Sequence, residues 1–320
     1  MKLFVLDDYQ NVVSRLDAAL QLAGIGVQLH TQVVHVDDEA QLIADLQEAD
    51  ILVLIRERTT ITAAIIDALP RLKLIVQTGR QSGCIDLEAC TRRGIQVREG
   101  GGSPVAPAEL TWALVMAASR RLVGYAEQLR QGRWQRSAER MAQEELGAVL
   151  HGRRLGIWGL GRIGSLVAGY GKAFGMEVLV HGREQSRAAA KAAGYTYVAD
   201  RHQFLASADV VSLHLKLTPQ TRHMISAQDL TAMGADSLLV NTSRAELMAP
   251  GALLIAMSGD GPGFAALDVF ESEPHGVAAY LHHPRILCTP HIGFVERSTY
   301  DLYFDTAFRQ VREFVLGGGA

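Results

Sequence analysis

Cysteine is scarce in this chain. Its 320 residues hold three, Cys84, Cys90 and Cys288, too few and too irregularly spaced for a disulfide framework or a tetrahedral metal site. The expected compartment is therefore a reducing cytoplasm, and no metal is expected. Long apolar runs are missing too. None approaches the ~20 residues needed to span a bilayer, and the opening M-K-L-F-V-L runs at once into Asp7 and Asp8, so neither an anchor nor a signal peptide is expected. Charge of one sign is also lacking: a formal net charge of −3 gives no long-range field to draw in nucleic acid or an anionic membrane. Repeats and low-complexity tracts are absent apart from short glycine runs. These absences leave an ordinary globular chain, 48% apolar and long enough for two domains with substantial cores.

The stretch that organises it is L-G-I-W-G-L-G-R-I-G, residues 155–164. A short apolar run ending at Trp158 leads into Gly159-x-Gly161-x-x-Gly164, after which Ile163, Leu166, Val167, Tyr170, Ala173 and Phe174 keep helical spacing. This is the layout of a strand, a tight turn and a helix that receives a dinucleotide pyrophosphate. The first glycine allows the turn, the second lets the backbone approach the phosphates, and the third lets helix and strand pack closely. Arg162 and Ile163, inside the turn, join the cofactor contacts at the positive end of the helix. A tight helix–sheet contact without a ligand is the alternative for such a motif alone; the fit on both flanks favours the nucleotide.

Before this stretch, apolar runs at Lys2–Leu6, Val27–Thr31, Ile51–Ile55, Leu72–Gln77 and Ile95–Arg98 alternate with helical patterns near Glu39–Glu48, Thr62–Leu69 and Asp86–Arg93. A further helix is expected through Val12, Val13, Leu16, Ala19 and Leu20 to Gly24. Such alternation predicts a parallel sheet covered on both faces. Ligands of these sheets sit beyond the carboxyl ends of the strands, where Arg56-Glu57-Arg58-Thr59 and Thr78-Gly79-Arg80-Gln81-Ser82-Gly83 stand. Arginines there suit a carboxylate or phosphate; a solvated loop rim is the other reading. Asp7 and Asp8 read as helix caps rather than a metal pair.

The glycines at 100–102 interrupt the alternation, and Pro104, Pro107, Glu109 and then Leu110–Leu122 read as a long crossover helix with Pro and Glu in its first turn. Its apolar face, Leu110, Ala113, Leu114 and Ala117, could pack on the second domain or on another subunit. The segment Tyr125–Gly147 reads as surface. Beyond the glycine loop, strand patterns follow at Met176–Val180, Val210–Leu215, Ser237–Asn241, Phe264–Phe270 and Ile286–Thr289, and a terminal helix carries Phe304, Ala307, Phe308, Val311 and Val315. NAD-binding units carry an acid about 20 residues past the glycines, on the adenosine ribose. That place is Gly182. With no acid there, Arg183, Ser186 and Arg187 offer donors for a 2′-phosphate, so NADP(H) is expected over NAD(H). Glu184 taking over the ribose, or simple solvation of the arginines, is the alternative.

Three strand-end groups remain: N-T-S-R at 241–244, D-V-F-E-S-E-P at 268–274 and T-P-H-I-G at 289–293. An arginine, a carboxylate and a histidine ending successive strands near a dinucleotide are what reduction of a 2-oxo acid requires. Arg244 anchors and polarises the substrate, His291 delivers a proton to the carbonyl oxygen, and Glu273 keeps that histidine protonated.

At these motifs, and from about Ile51 to Phe294, the chain closely resembles the D-isomer-specific 2-hydroxyacid dehydrogenase family. The resemblance implies that Arg244 binds substrate, Glu273 partners the histidine and His291 is the catalytic acid/base. Thr242 belongs with the cofactor contacts, and Asp268 lies near the nicotinamide carboxamide. First-domain backbone N–H groups at Arg80 and Gln81 hold the substrate carboxylate. The implied fold class is α/β, with two doubly wound parallel-sheet domains. One is a discontinuous flavodoxin-like substrate domain, 1–103 with 292–320; the other is a Rossmann NAD(P)-binding domain, 104–291, and the active site lies in the cleft between them. A homodimer built around the crossover helix is also implied, with no nucleic-acid or membrane partner.

Several positions depart from the family pattern. Ala245 replaces a glycine, Met248-Ala249 a Val-Asp, Lys216 a proline and Gln81 a glycine. Arg56-Glu57-Arg58-Thr59 resembles the Arg-x-Arg-Thr of phosphoglycerate dehydrogenases, where the arginines meet substrate phosphate, but Glu57 weakens that match. The implied substrates are glyoxylate, hydroxypyruvate, phosphohydroxypyruvate or a larger 2-oxo acid. Formate dehydrogenases would place Gln at Glu273. The rival of another class is a nucleotide-sensing protein like the carboxyl-terminal-binding corepressors that share the fold.

Overall fold

Five short apolar runs of the first hundred residues form parallel strands: β1 (Lys2–Leu6), β2 (Gln28–Thr31), β3 (Ile51–Leu54), β4 (Leu74–Gln77) and β5 (Gln96–Glu99). They lie in the order β2-β1-β3-β4-β5, the flavodoxin-like winding. Every residue of β3 and β4 is buried, as a parallel sheet covered on both faces requires. The covering helices α1 (Glu39–Asp45), α2 (Ala63–Ala68) and α3 (Leu87–Arg92) start at Asp38, Thr62 and Asp86, whose side chains each accept a first-turn N–H and so satisfy donors the helix leaves unpaired. This is a computed structural model, and it describes residues 1–80, 83–135 and 146–318.

Residues 12–24 depart from the expected helix. They form two 3-10 turns, Val13–Arg15 and Asp17–Leu22, broken at Leu16, which is extended. The Asp8 carboxylate accepts the N–H groups of Val12 and Val13 and so caps the first turn, and Val13, Leu16 and Leu22 are buried. Three-residue spacing from Val13 to Leu16 suits 3-10 geometry better than a continuous α-helix.

A seven-stranded parallel sheet follows in the order β12-β11-β10-β9-β6-β7-β8. Its strands are β6 (Arg154–Trp158), β7 (Glu177–His181), β8 (Thr196–Tyr197), β9 (Val210–Leu213), β10 (Leu238–Asn241), β11 (Phe264–Leu267) and β12 (Ile286–Cys288). One face packs around Trp158, Phe204, Leu213 and Leu239. The other packs around Ala108, Leu114, Val167 and Val180. The winding reverses between β6 and β9, the switch point where open α/β sheets bind ligands. Both sheets thus have the expected doubly wound α/β architecture.

The crossover helix α4 (Val105–Ser119) starts directly after Pro104, as expected, and stops short of Leu122. Arg121 breaks it with φ of +53°. Its guanidinium lies over the Phe264 ring and donates to the Ala118 carbonyl, contacts that compensate an unfavourable backbone. A second helix, α5 (Leu122–Arg130), then begins. Leu122, Leu129 and Trp134 are exposed, and residues 136–145 of the expected surface segment lie outside the described residues. No helix among the described residues is long and apolar enough to cross a membrane.

The chain divides into two units, Met1–Ser103 with Val295–Ala320, and Pro104–Phe294. The second unit runs three residues past the expected boundary at 291, because the Ile292 and Gly293 N–H groups donate to Asp268 and Phe294 is buried. Three short helices, α6 (Arg162–Ala173), α7 (Glu184–Ala193) and α8 (Arg201–Ser207), cover β6 to β9, followed by α9 (Ala227–Leu230), α10 (Ala252–Met257) and α11 (Ala278–Leu281). The last helix, α12 (Arg297–Leu316), packs on β4 of the first unit.

Candidate active site

The turn after β6 is shaped by its glycines. Gly159 has φ of +98°, and a Cβ there would stand 2.7 Å from the His214 carbonyl oxygen. A Cβ on Gly164 would collide with the Gly159 carbonyl. Gly161 differs: nothing lies within 4 Å of where its Cβ would be. It caps α6 without a side-chain bond, and the N–H groups of Ile163 and Gly164 donate to no described residue. An open backbone face at the positive end of a twelve-residue helix is what a dinucleotide pyrophosphate needs, so the residues present fit that group.

At the end of β7, Gly182 has φ of +152°, and a Cβ there would stand 2.7 Å from Ser186 Oγ. Ser186 Oγ accepts the Leu160 N–H at 3.2 Å, which ties this loop to the glycine turn and leaves the hydroxyl hydrogen to donate elsewhere. Arg183 is exposed; its carbonyl accepts the Ser186 and Arg187 N–H groups, and its side chain bonds no described residue. Arg187 pairs loosely with Glu184 at 3.7 Å, both well exposed.

The three chemical motifs end β10, β11 and β12, which are neighbours in the sheet. After β10, buried Asn241 bonds the Arg244 carbonyl and the Ser243 N–H, and Ser243 Oγ donates to the Leu213 carbonyl. This fixes the turn from which the Arg244 side chain extends, its Nη1 donating to the Ser243 carbonyl at 2.7 Å. Thr242 shares a hydrogen bond with Thr111 of α4 at 2.7 Å.

After β11, buried Asp268 commits both oxygens to the next loop. It accepts from Thr289 Oγ1 at 2.7 Å, Ile292 N at 2.8 Å and Gly293 N at 2.9 Å. Burial pushes its carboxyl up, against the pull of these bonds,. The loop so pinned holds His291 at φ of +51°, a conformation that a non-glycine residue keeps only where its surroundings over-determine it. Glu273 Oε1 accepts the Phe270 N–H at 2.8 Å, and Oε2 meets His291 Nδ1 at 2.6 Å. His291 Nε2 bonds no described residue. The sheet therefore brings Glu273 and His291 into direct contact at the carboxyl edge that also carries Arg244 and the glycine turn.

His214, at the end of β9, is a residue that sequence reasoning missed. Its Nε2 lies 2.9 Å from Ser212 Oγ, and desolvation pushes the imidazole down to about 4,. A histidine closing a strand next to the nucleotide strand was the available signal.

In the first unit, Arg80 is exposed after β4, Gln81 lies outside the described residues, and Arg56 follows β3 with its N–H on Thr78 Oγ1. Asp7 is not the cap expected of it. It is buried, and its carboxylate takes Thr59 Oγ1 and His35 Nδ1.

Residues 112–293 match the family described as D-isomer specific 2-hydroxyacid dehydrogenase, NAD binding domain. The chain is 38% identical over 265 residues to the glyoxylate reductase of Aeropyrum pernix, an alignment covering 81% of this chain and 77% of that protein. It is 33% identical over 300 residues to the D-3-phosphoglycerate dehydrogenase of Synechocystis sp., 92% of this chain but 52% of that protein. The chain thus spans about half the length of that relative. A crystal structure of a phosphoglycerate oxidoreductase from Vibrio cholerae superposes with a TM-score of 0.94 at 48% identity, covering 99% of this chain and 100% of the other.

Proposed function

The chain belongs to the D-isomer specific 2-hydroxyacid dehydrogenase family, and from that premise we propose that it interconverts a 2-oxo acid and its D-2-hydroxy acid with a nicotinamide cofactor. The observation that carries this reading is the 2.6 Å contact of Glu273 Oε2 with His291 Nδ1, which leaves Nε2 facing no described partner.

A nicotinamide bound at this sheet edge supplies hydride to the carbonyl carbon, or accepts it in the reverse direction. His291 Nε2 donates the proton that the carbonyl oxygen then needs, and Glu273 orients the ring through its contact with Nδ1,. Arg244 binds the substrate carboxylate and polarises the carbonyl through its fixed fork of donors. Arg80, Gln81 and Arg56 are the further residues proposed for the substrate. Gly159, Gly161, Arg162, Ile163 and Gly164 hold the pyrophosphate, with Thr242 and Asp268 framing the nicotinamide end. Asp268 does so through the loop it pins.

The cofactor we propose is NADP(H) in preference to NAD(H). In support, a side chain at Gly182 would meet a positive φ and the Ser186 hydroxyl, while that hydroxyl and the exposed Arg183 side chain are donors suited to a 2′-phosphate. Arg187 is the third donor. Free thiols at Cys84, Cys90 and Cys288 suit a cytoplasmic enzyme, and the exposed Leu122, Leu129 and Trp134 support a homodimer built on the α4–α5 segment.

The test is a panel of 2-oxo acids with both reduced cofactors, followed by cofactor oxidation. Turnover with a higher kcat/KM for NADPH is expected, and Arg183→Ala should raise the KM for NADPH about tenfold, roughly 1.4 kcal/mol of lost binding, while sparing NADH. Tight cofactor binding with no turnover across the panel would instead indicate a nucleotide sensor.

A further inference from the structure

We propose that the substrate tail carries no phosphate, and that Glu57 is the residue that selects against one. The inference rests on the 2-oxo acid reading above and names its substrate class. Arg56 and Arg58 lie at the β1/β3 switch point of the first unit, where their residue type alone would suit a phosphate. Their surroundings do not.

Arg58 is held on every side. Its Nη1 donates to the Asp7 carbonyl at 2.6 Å and its Nη2 to Gln10 Oε1 at 3.3 Å. Its guanidinium lies 4.4 Å from the Tyr9 ring centroid, and Tyr300 of α12 hydrogen-bonds it as well. This arginine fastens the loop to β1. Arg56 carries its own counter-charge. Glu57 faces it with Oε2 3.4 Å from Nε and Oε1 3.4 Å from Nη2, the two side chains being 21% and 22% exposed. The Arg56 guanidinium fills the space a side chain on Gly79 would occupy, so it covers the start of the 78–83 loop, and Tyr303 hydrogen-bonds it from α12.

Arg56 over that loop is thus paired with a carboxylate and is not a lone cation. A phosphate monoester carries a charge of about −1.5 to −2; to reach Arg56 it must stand beside the Glu57 carboxylate in a partly desolvated place, where like charges repel strongly. A hydroxymethyl tail finds both a donor and an acceptor there, and a hydrogen tail brings no charge to be repelled.

The experiment compares kcat/KM for hydroxypyruvate and phosphohydroxypyruvate in the wild-type protein, Glu57→Gln and Glu57→Ser, with circular dichroism and melting temperature as folding controls. The wild type should favour the unphosphorylated acid more than tenfold, and removing the carboxylate should move the ratio toward the phosphorylated one about tenfold, ~1.4 kcal/mol. Equal or better use of phosphohydroxypyruvate by the wild type overturns the proposal, as does a ratio that neither variant moves. If no 2-oxo acid turns over, the functional reading fails, and thermal unfolding with 3-phosphoglycerate against glycerate decides this inference separately. Phosphate-dependent stabilisation only in the Glu57 variants supports it; stabilisation in the wild type, or in none of the three proteins, overturns it.

Discussion

Two histidines close strands of the same sheet, His214 after β9 and His291 after β12, and their chemistry diverges. His291 meets a carboxylate through Nδ1, sits in a loop pinned by Asp268, and keeps Nε2 unbonded among the described residues. His214 meets only a hydroxyl, and desolvation holds it neutral down to about 4. Position at a strand end is shared; the partner is not. What separates them is the group on the bonded ring nitrogen, a carboxylate at His291 and a hydroxyl at His214. His214 also packs the turn that its carbonyl oxygen helps to shape.

The contrast can be broken most directly at His291. His291→Ala should lower kcat by about 10² to 10⁴ with cofactor affinity retained, whereas His214→Gln should lower it less than tenfold. Comparable losses in steady-state assays would erase the distinction. Next in size is Glu273→Gln, which keeps a hydrogen bond to the ring but removes the charge. A fall in kcat of about 10 to 10² is expected, with a smaller change in KM, and an unchanged kcat would show that the carboxylate only positions a loop.

The smallest effect belongs to His214 and sharpens the comparison through pH. Its folded-state value of about 4 lies below the ~6.5 of an unfolded histidine, so the unfolded chain binds the extra proton between those limits. Stability from this group is therefore fully present above ~6.5 and falls as the pH drops toward 4. Urea unfolding should show a loss on the order of 1 kcal/mol between pH 7 and 5. His214→Gln should abolish that component. A pH slope identical in the variant would sink the assignment.

The glycine turn, the strand alternation and the Arg244, Glu273 and His291 motifs were legible because each depends on local sequence. Glycine spacing reflects backbone geometry, and strand ends follow apolar runs. His214 escaped because its environment comes from Ser212 and from the desolvation of the folded sheet edge, which no spacing displays. The 3-10 turns at residues 13–22 share a period close to that of an α-helix, so the apolar pattern could not separate them. Arg58, left open between an anion contact and a solvated rim, has donors taken up by Asp7, Gln10 and Tyr300, residues far from it in sequence. What a charged side chain has left to offer is a property of the folded neighbourhood.

The Gly182–Ser186 contact bears on how this protein can evolve. An aspartate at position 182 is one base change from glycine in the genetic code, yet here it would face both a left-handed backbone and the Ser186 hydroxyl,. The reverse order, a smaller residue at 186 first, clears the clash but releases the Leu160 N–H from its acceptor,. Neither single step is free of cost, so an acid reaches position 182 only through a change at 186 and a new acceptor for the Leu160 N–H.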